Sequence, residues 1–185
     1  MKKILLAAGV AALPLLAFAD TYQIDPTHTY PNFVVNHAGY SNLYGRFGKT
    51  SGTIEMDKAA GTGAVNIVID AASIDTGFSK RDDHLRSPDF FNVAEFPEIT
   101  FKSTKVSYQG DGAEVVGNLT MVGVTQPVTL RTDKLNCRPH FRTQKMVCGF
   151  NAEGMIKRSD FGIKYGLPGI GDDIKLMIEV EAEKM

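Results

Sequence analysis

The side chains of this 185-residue chain that could do chemistry are few, and most stand apart from one another. His28, His37, His84 and His140 are scattered without ligand spacing, whereas a zinc site asks for histidines or cysteines a few residues apart. No metal is therefore expected. The sequence holds no Gly-x-Ser-x-Gly elbow, Walker loop or His-Glu-x-x-His helix. Gly166-Leu167-Pro168-Gly169-Ile170-Gly171 has the glycines of a phosphate cradle but no strand-to-helix context, and it reads as a loop between the last strands. The one dense candidate for acid–base work is His84 beside Asp82 and Asp83. A general base needs a nucleophile and an orienting group, and none is set beside it. The chain is thus not expected to be an enzyme, and no cofactor is implied.

What remains is charge and aromatic side chains gathered in three stretches: His37 to Phe47, Asp75 to Phe91, and Lys157 to Gly162. Strands must position almost all of them. Val65, Ile67 and Ile69 alternate with polar or opposite-facing positions. So do Val115, Leu119 and Met121, and so do Ile174, Leu176, Ile178 and Val180. Period two over such lengths predicts half-buried antiparallel strands. Further strands are predicted over Thr21–Ile24, Asn32–His37, Leu43–Met56, Ile99–Tyr108, Val124–Asn136 and Met146–Lys157. Phe47 and Ile54 cannot face the same way without a bulge, and Gly45, Gly48 and Gly52 mark where that strand would bend. One helix interrupts the pattern: Ser79 to Arg86, with a capping-box start at Ser79 and Asp82 and a stop at Pro88. About eight strands with one short helix predict an all-β fold, an extended antiparallel barrel whose closure removes exposed edges.

Lys2 and Lys3, an apolar run from Ile4 to Phe18 and the small-residue pattern Ala17-Phe18-Ala19 read as a secretory signal peptide over residues 1–19. The remaining domain, residues 20–185, has 166 residues, and losing the two lysines takes the net charge from −1 to −3. Such a chain lacks the basic stripe that nucleic acid requires. In an oxidising compartment Cys137 and Cys148, on either side of a polar turn-like stretch, are placed for a structural disulfide.

The charged and aromatic stretches also carry a resemblance. Asp75-Thr76, Arg81-Asp82-Asp83-His84-Leu85-Arg86-Ser87, Pro97-Glu98-Ile99-Thr100-Phe101, Gly117-Asn118-Leu119-Thr120, Gly123-Val124-Thr125-Gln126-Pro127-Val128 and Arg158-Ser159-Asp160-Phe161-Gly162 follow one another in this order. In this the chain resembles the YceI family of secreted bacterial lipid-binding proteins. The resemblance implies a lipocalin-like barrel with an internal tunnel for a long isoprenoid chain, a polyprenyl phosphate or a ubiquinone-like tail. It implies a periplasmic carrier, with transient membrane contact and a homodimer as further expectations. An isoprenoid tail has no hydrogen-bonding groups, so its tunnel needs apolar walls and a polar group only at the mouth. The wall candidates are Tyr40, Leu43, Phe47, Phe90, Phe91, Phe101 and Phe161, with Arg81 and His84 as head-group contacts. Asp75, Arg81, Asp82, His84 and Arg86 can each meet a head group or pin the helix to the barrel rim, with pinning the favoured reading for each, and Arg158 and Asp160 are read as pairing with that helix. An enzyme acting on an isoprenoid lipid or quinone, and a non-binding stress or structural protein, are the alternatives.

Overall fold

The computed structural model describes residues 19–185, so all but the last residue of the predicted leader lies outside the described residues. The strands are β1 (Asp20–Ile24), β2 (Tyr30–His37), β3 (Ser41–Phe47), β4 (Thr50–Asp57), β5 (Thr62–Asp70), β6 (Ile74–Asp75), β7 (Glu98–Gln109), β8 (Gly112–Met121), β9 (Val124–Thr132), β10 (Asn136–Pro139), β11 (Met146–Lys157) and β12 (Ile170–Lys184). One α-helix, α1 (Ser79–Arg86), is joined by single 3-10 turns at Ala71–Ser73 and Arg158–Phe161.

These twelve segments make a closed barrel of eight strands, because four strands are each broken once. β1 and β2 share the same two neighbours, β12 and the broken strand β3/β4. In the same way β5/β6 flank β4/β3, and β9/β10 flank β11. β7 and β8 complete the wall, and β11 closes the ring on β12 over Val147–Lys157. All pairings are antiparallel. β12 has 15 residues, so at about 3.3 Å per residue this strand is about 50 Å long.

The alternation in the sequence is the alternation of the wall. In β8, Ala113, Val115, Leu119 and Met121 are buried while Asn118 is exposed. Two predicted strands are split. Leu43–Met56 bends at Gly48 and Lys49, which lets both Phe47 and Ile54 turn inward. Val124–Asn136 breaks at Asp133–Leu135, where the Asp133 carboxylate takes the Asn151 backbone N–H (2.8 Å) and side-chain amide (2.7 Å) instead of a ladder partner. Two inward glycines hold aromatic rings by having no side chain. A Cβ on Gly45 would lie 2.3 Å from the Phe33 ring, and one on Gly117 would lie 2.4 Å from the Phe101 ring.

Candidate functional site

The barrel interior is a cavity with two chambers. The inner chamber is lined by apolar side chains including Ile54, Ile69, Phe101, Leu119, Ile178 and Val180. The outer chamber lies under α1 and is lined by Val35, Leu43, Leu85, Phe90, Phe91 and Ile174 among others. Phe33, Phe47, Met121, Ile156 and Leu176 line both, so the two chambers adjoin there.

The polar groups collect at the α1 end: His37, Arg81, His84, Arg158 and Tyr165 line the outer chamber, whereas no charged side chain lines the inner one. Their geometry is set by the protein. α1 begins after Phe78, whose side chain makes no capping bond; the predicted capping box at Ser79 does not form. Asp82 is instead buried and turned back to accept the Thr76 backbone N–H (2.9 Å) and hydroxyl (2.5 Å). That carboxylate replaces the cap by tying the helix to the segment before it. Arg81 donates to the same threonine through Nε to Oγ1 and Nη2 to O, both at 2.7 Å. Arg86 reaches the carbonyls of Ala72 (2.8 Å) and Ile74 (2.9 Å), which fixes the far end of α1 to the barrel. His84 Nε2 lies 2.9 Å from Asp89, and its ring meets Phe90 and Tyr165 edge-on at 5.1 and 4.9 Å.

Arg158 and Asp160 do not pair with the helix as expected. Arg158 is buried and donates to four carbonyls, those of Gly171, Ile163, Tyr165 and Ile170, at 2.9–3.1 Å. Burial lowers its pKa. A planar guanidinium can satisfy several carbonyls at once, and here it holds the 163–171 loop that forms one side of the mouth. Asp160 contributes its backbone carbonyl to Gln126 (3.0 Å). The neighbouring Ser159 donates its backbone N–H and hydroxyl to Asp172, and these bonds lower that carboxyl's pKa.

Of the candidate wall residues, Leu43, Phe47, Phe90 and Phe91 come together in the outer chamber with Arg81 and His84, and Phe101 lies in the inner one. Two do not join them. Tyr40 is 89% exposed at the β2–β3 turn, beyond the end of the inward-facing ladder. Phe161 is 1% exposed and fills the solid core beside the mouth, because the 3-10 turn after β11 takes it out of the strand pattern. Sequence reasoning missed Phe33, Leu85, Ile163, Tyr165 and Ile170. Phe33 sits in an unbroken apolar run, which was a readable sign; Tyr165 lies in a Gly- and Pro-rich loop that carries no period. The histidines are also less scattered than they read, since His28 lies beside Asp25 and Glu181 with ligand atoms within 4.8 Å of one another. Asp25 Oδ2 bonds the His28 ring at 2.8 Å, which raises the imidazole pKa. None of these three residues lines the cavity.

The Cys137–Cys148 disulfide is formed, joining β10 to β11 at facing positions of the ladder. It lies at the end of the barrel away from α1, with Cys148 buried against Tyr22, Ile24 and Ala182.

Comparison with known proteins agrees with this architecture. A model of the YceI-like domain matches residues 22–182. Proteins called YceI from Salmonella arizonae and Salmonella paratyphi B are each 43% identical over 187 residues, covering 98% of this chain and 97% of theirs. Among solved structures, the Campylobacter jejuni YCEI protein superposes with a TM-score of 0.70 at 32% identity, over 81% of this chain and 90% of that one. Burkholderia cenocepacia BcnA shares the fold at a TM-score of 0.75 and 24% identity, over 86% and 99% of the two chains. A Saccharophagus degradans domain described as polyisoprenoid-binding does so at 0.63 and 19%, over 89% and 98%. The chain belongs to the YceI-like domain family.

Proposed function

We propose that this protein is an exported, periplasmic carrier that sequesters a long-chain isoprenoid lipid, either a polyprenyl phosphate or a quinone with such a tail. One observation carries the reading: two adjoining, largely apolar chambers inside the barrel, with charged side chains at the α1 end alone. A hydrocarbon chain gains about 0.8 kcal/mol per buried methylene, so a long tail is held by depth and needs no specific contact. The polyisoprenoid-binding description of the Saccharophagus domain, a protein of the same fold, supports that class of ligand. The cationic groups at the mouth are engaged in holding α1 and the 163–171 loop, which favours a carrier over an enzyme.

The rim of the mouth suits loading from a bilayer. Tyr165 lines the outer chamber and is still 51% exposed, so its ring runs from the cavity wall to the outside. Phe78, 55% exposed, precedes α1, and Tyr40, 89% exposed, stands on the β2–β3 turn, which the Ala38 N–H joins to the 163–171 loop at Gly169 O (2.8 Å). Aromatic rings with a polar edge settle at the level of lipid headgroups.

The test uses lipid-free protein mixed with phosphatidylcholine vesicles that contain a C40 isoprenoid quinone and a C40 polyprenyl phosphate. After the vesicles are pelleted, the soluble protein is extracted and its lipid identified by mass spectrometry. Stoichiometric, chemically unaltered isoprenoid is the expected result; protein that returns free of lipid sinks the carrier reading. Tyr40→Ser with Phe78→Ser should slow transfer without changing the final occupancy.

A further inference from the structure

Among the described residues, one buried side-chain polar atom is left without a partner, and it belongs to the wall of the inner chamber. Thr50 is 4% exposed, and its Oγ1 makes no hydrogen bond. The other polar residues of that wall are committed. Thr29 Oγ1 donates to Glu181 O and accepts the Glu181 N–H, at 3.0 and 3.1 Å. Thr132 Oγ1 accepts the Ala113 N–H (2.8 Å) and donates to Asp133 O (3.0 Å), and Asn32 Nδ2 donates to Tyr30 O (3.1 Å). A buried hydroxyl without a partner is destabilising, and native interiors rarely keep one. Valine has the same shape and would fill the position without that penalty.

The place of Thr50 in the tunnel gives the orphan a use. Leu43, Phe47, Thr50 and Ile54 face inward in succession along β3 and β4, the first in the outer chamber, Phe47 in both, and the last two in the inner. Thr50 therefore stands just inside the junction, seven residues and roughly 20 Å along the strand from Leu43. A phosphate cannot be held at this depth. No charged side chain lines the inner chamber, and the buried Arg158 at the outer one has its guanidinium taken up by four carbonyls. An ionised group without a partner is too costly in such surroundings. A neutral oxygen is not.

We propose that Thr50 is a specificity-determining residue whose hydroxyl hydrogen-bonds one neutral oxygen of the bound lipid at the chamber junction. The cargo is then a long apolar chain bearing a carbonyl, ether or alcohol at that depth, in preference to unbroken hydrocarbon. This rests on the carrier reading above.

The experiment is a competition followed by native mass spectrometry. Wild type, Thr50→Val and Thr50→Ser are each offered an isoprenoid methyl ketone, the hydrocarbon of equal carbon count and the corresponding monophosphate. Wild type should prefer the ketone to the hydrocarbon by about tenfold, the worth of one hydrogen bond. Thr50→Val should erase that preference and Thr50→Ser should keep it. Lipid-free Thr50→Val should melt at the same temperature as wild type or higher. A ketone preference that survives in Thr50→Val overturns the proposal, as does a lowered melting temperature of that variant, which would mean the hydroxyl has a protein partner. If wild type binds all three ligands alike, the Thr50 contact falls and the carrier stands. If it binds none, both fall.

Discussion

At the scale of single residues, His84 carries the question of catalysis. It is the one histidine of the mouth that combines a carboxylate at 2.9 Å with aromatic neighbours on two sides, a setting in which an acid–base role is chemically conceivable. The same contacts describe a residue that holds α1 and the 87–91 segment against the Tyr165 loop. His84→Gln separates the two. A general acid or base would take a factor of about 10²–10⁴ from a turnover with it. A holding residue on a partly exposed site changes stability by no more than about 1 kcal/mol. We expect the second result: urea unfolding shifted by about that amount, and lipid of the same mass recovered from both proteins. A product present in wild-type extracts and missing from the variant would reverse the assignment.

Elements show how far the sequence could be read and where it could not. The bounds of α1 were legible because Pro88 stops it and the surrounding strands have a different period. Its anchoring was not, since Asp82 had to be turned inward onto Thr76, a contact between residues six apart that no capping rule names. β11 was legible at both ends, whereas β3/β4 read as a single strand, Val124–Asn136 ran past the end of β9, and part of β10 fell in the stretch read as a turn. A break in a barrel strand is decided by closure of the whole sheet and leaves only glycines or an Asp to mark it. The disulfide was legible from Cys137 and Cys148 with the turn between them. Closing a loop of this size stabilises by about 3 kcal/mol in the chain-entropy model. Because the bridge lies at the end opposite α1, reduction should lower the free energy of unfolding measured in urea by about that much and leave isoprenoid affinity within about twofold. A loss of binding that parallels the loss of the bridge would show that the hairpin shapes the inner chamber.

Over the whole molecule, the decisive property is one that periodicity does not carry. Val65, Ile67, Ile69, Val115, Leu119, Ile174 and Leu176 all face inward as their spacing demands, and the same pattern would serve a filled core. Whether facing walls touch depends on barrel length and strand stagger, which arise from pairings between residues more than a hundred positions apart, such as Tyr22 with Lys184. The tunnel was therefore implied by resemblance and became visible only in the structure. Its length gives the last prediction. Phe101 lines the inner chamber with its ring laid against Gly117, so the ring sits close to the wall and leaves the bore open. Tryptophan at this position keeps an apolar surface but extends past the glycine into the space a tail would occupy. Phe101→Trp should bind C40 isoprenoid more weakly than wild type, by about tenfold, since losing two buried methylenes already removes about 1.6 kcal/mol. Chains short enough to end before the inner chamber should bind both proteins equally. The measurement is a competition series over chain lengths, with thermal unfolding to establish that the variant folds. If the length preference stays unchanged in a folded variant, the tail does not pass Phe101, and the outer chamber alone holds the ligand.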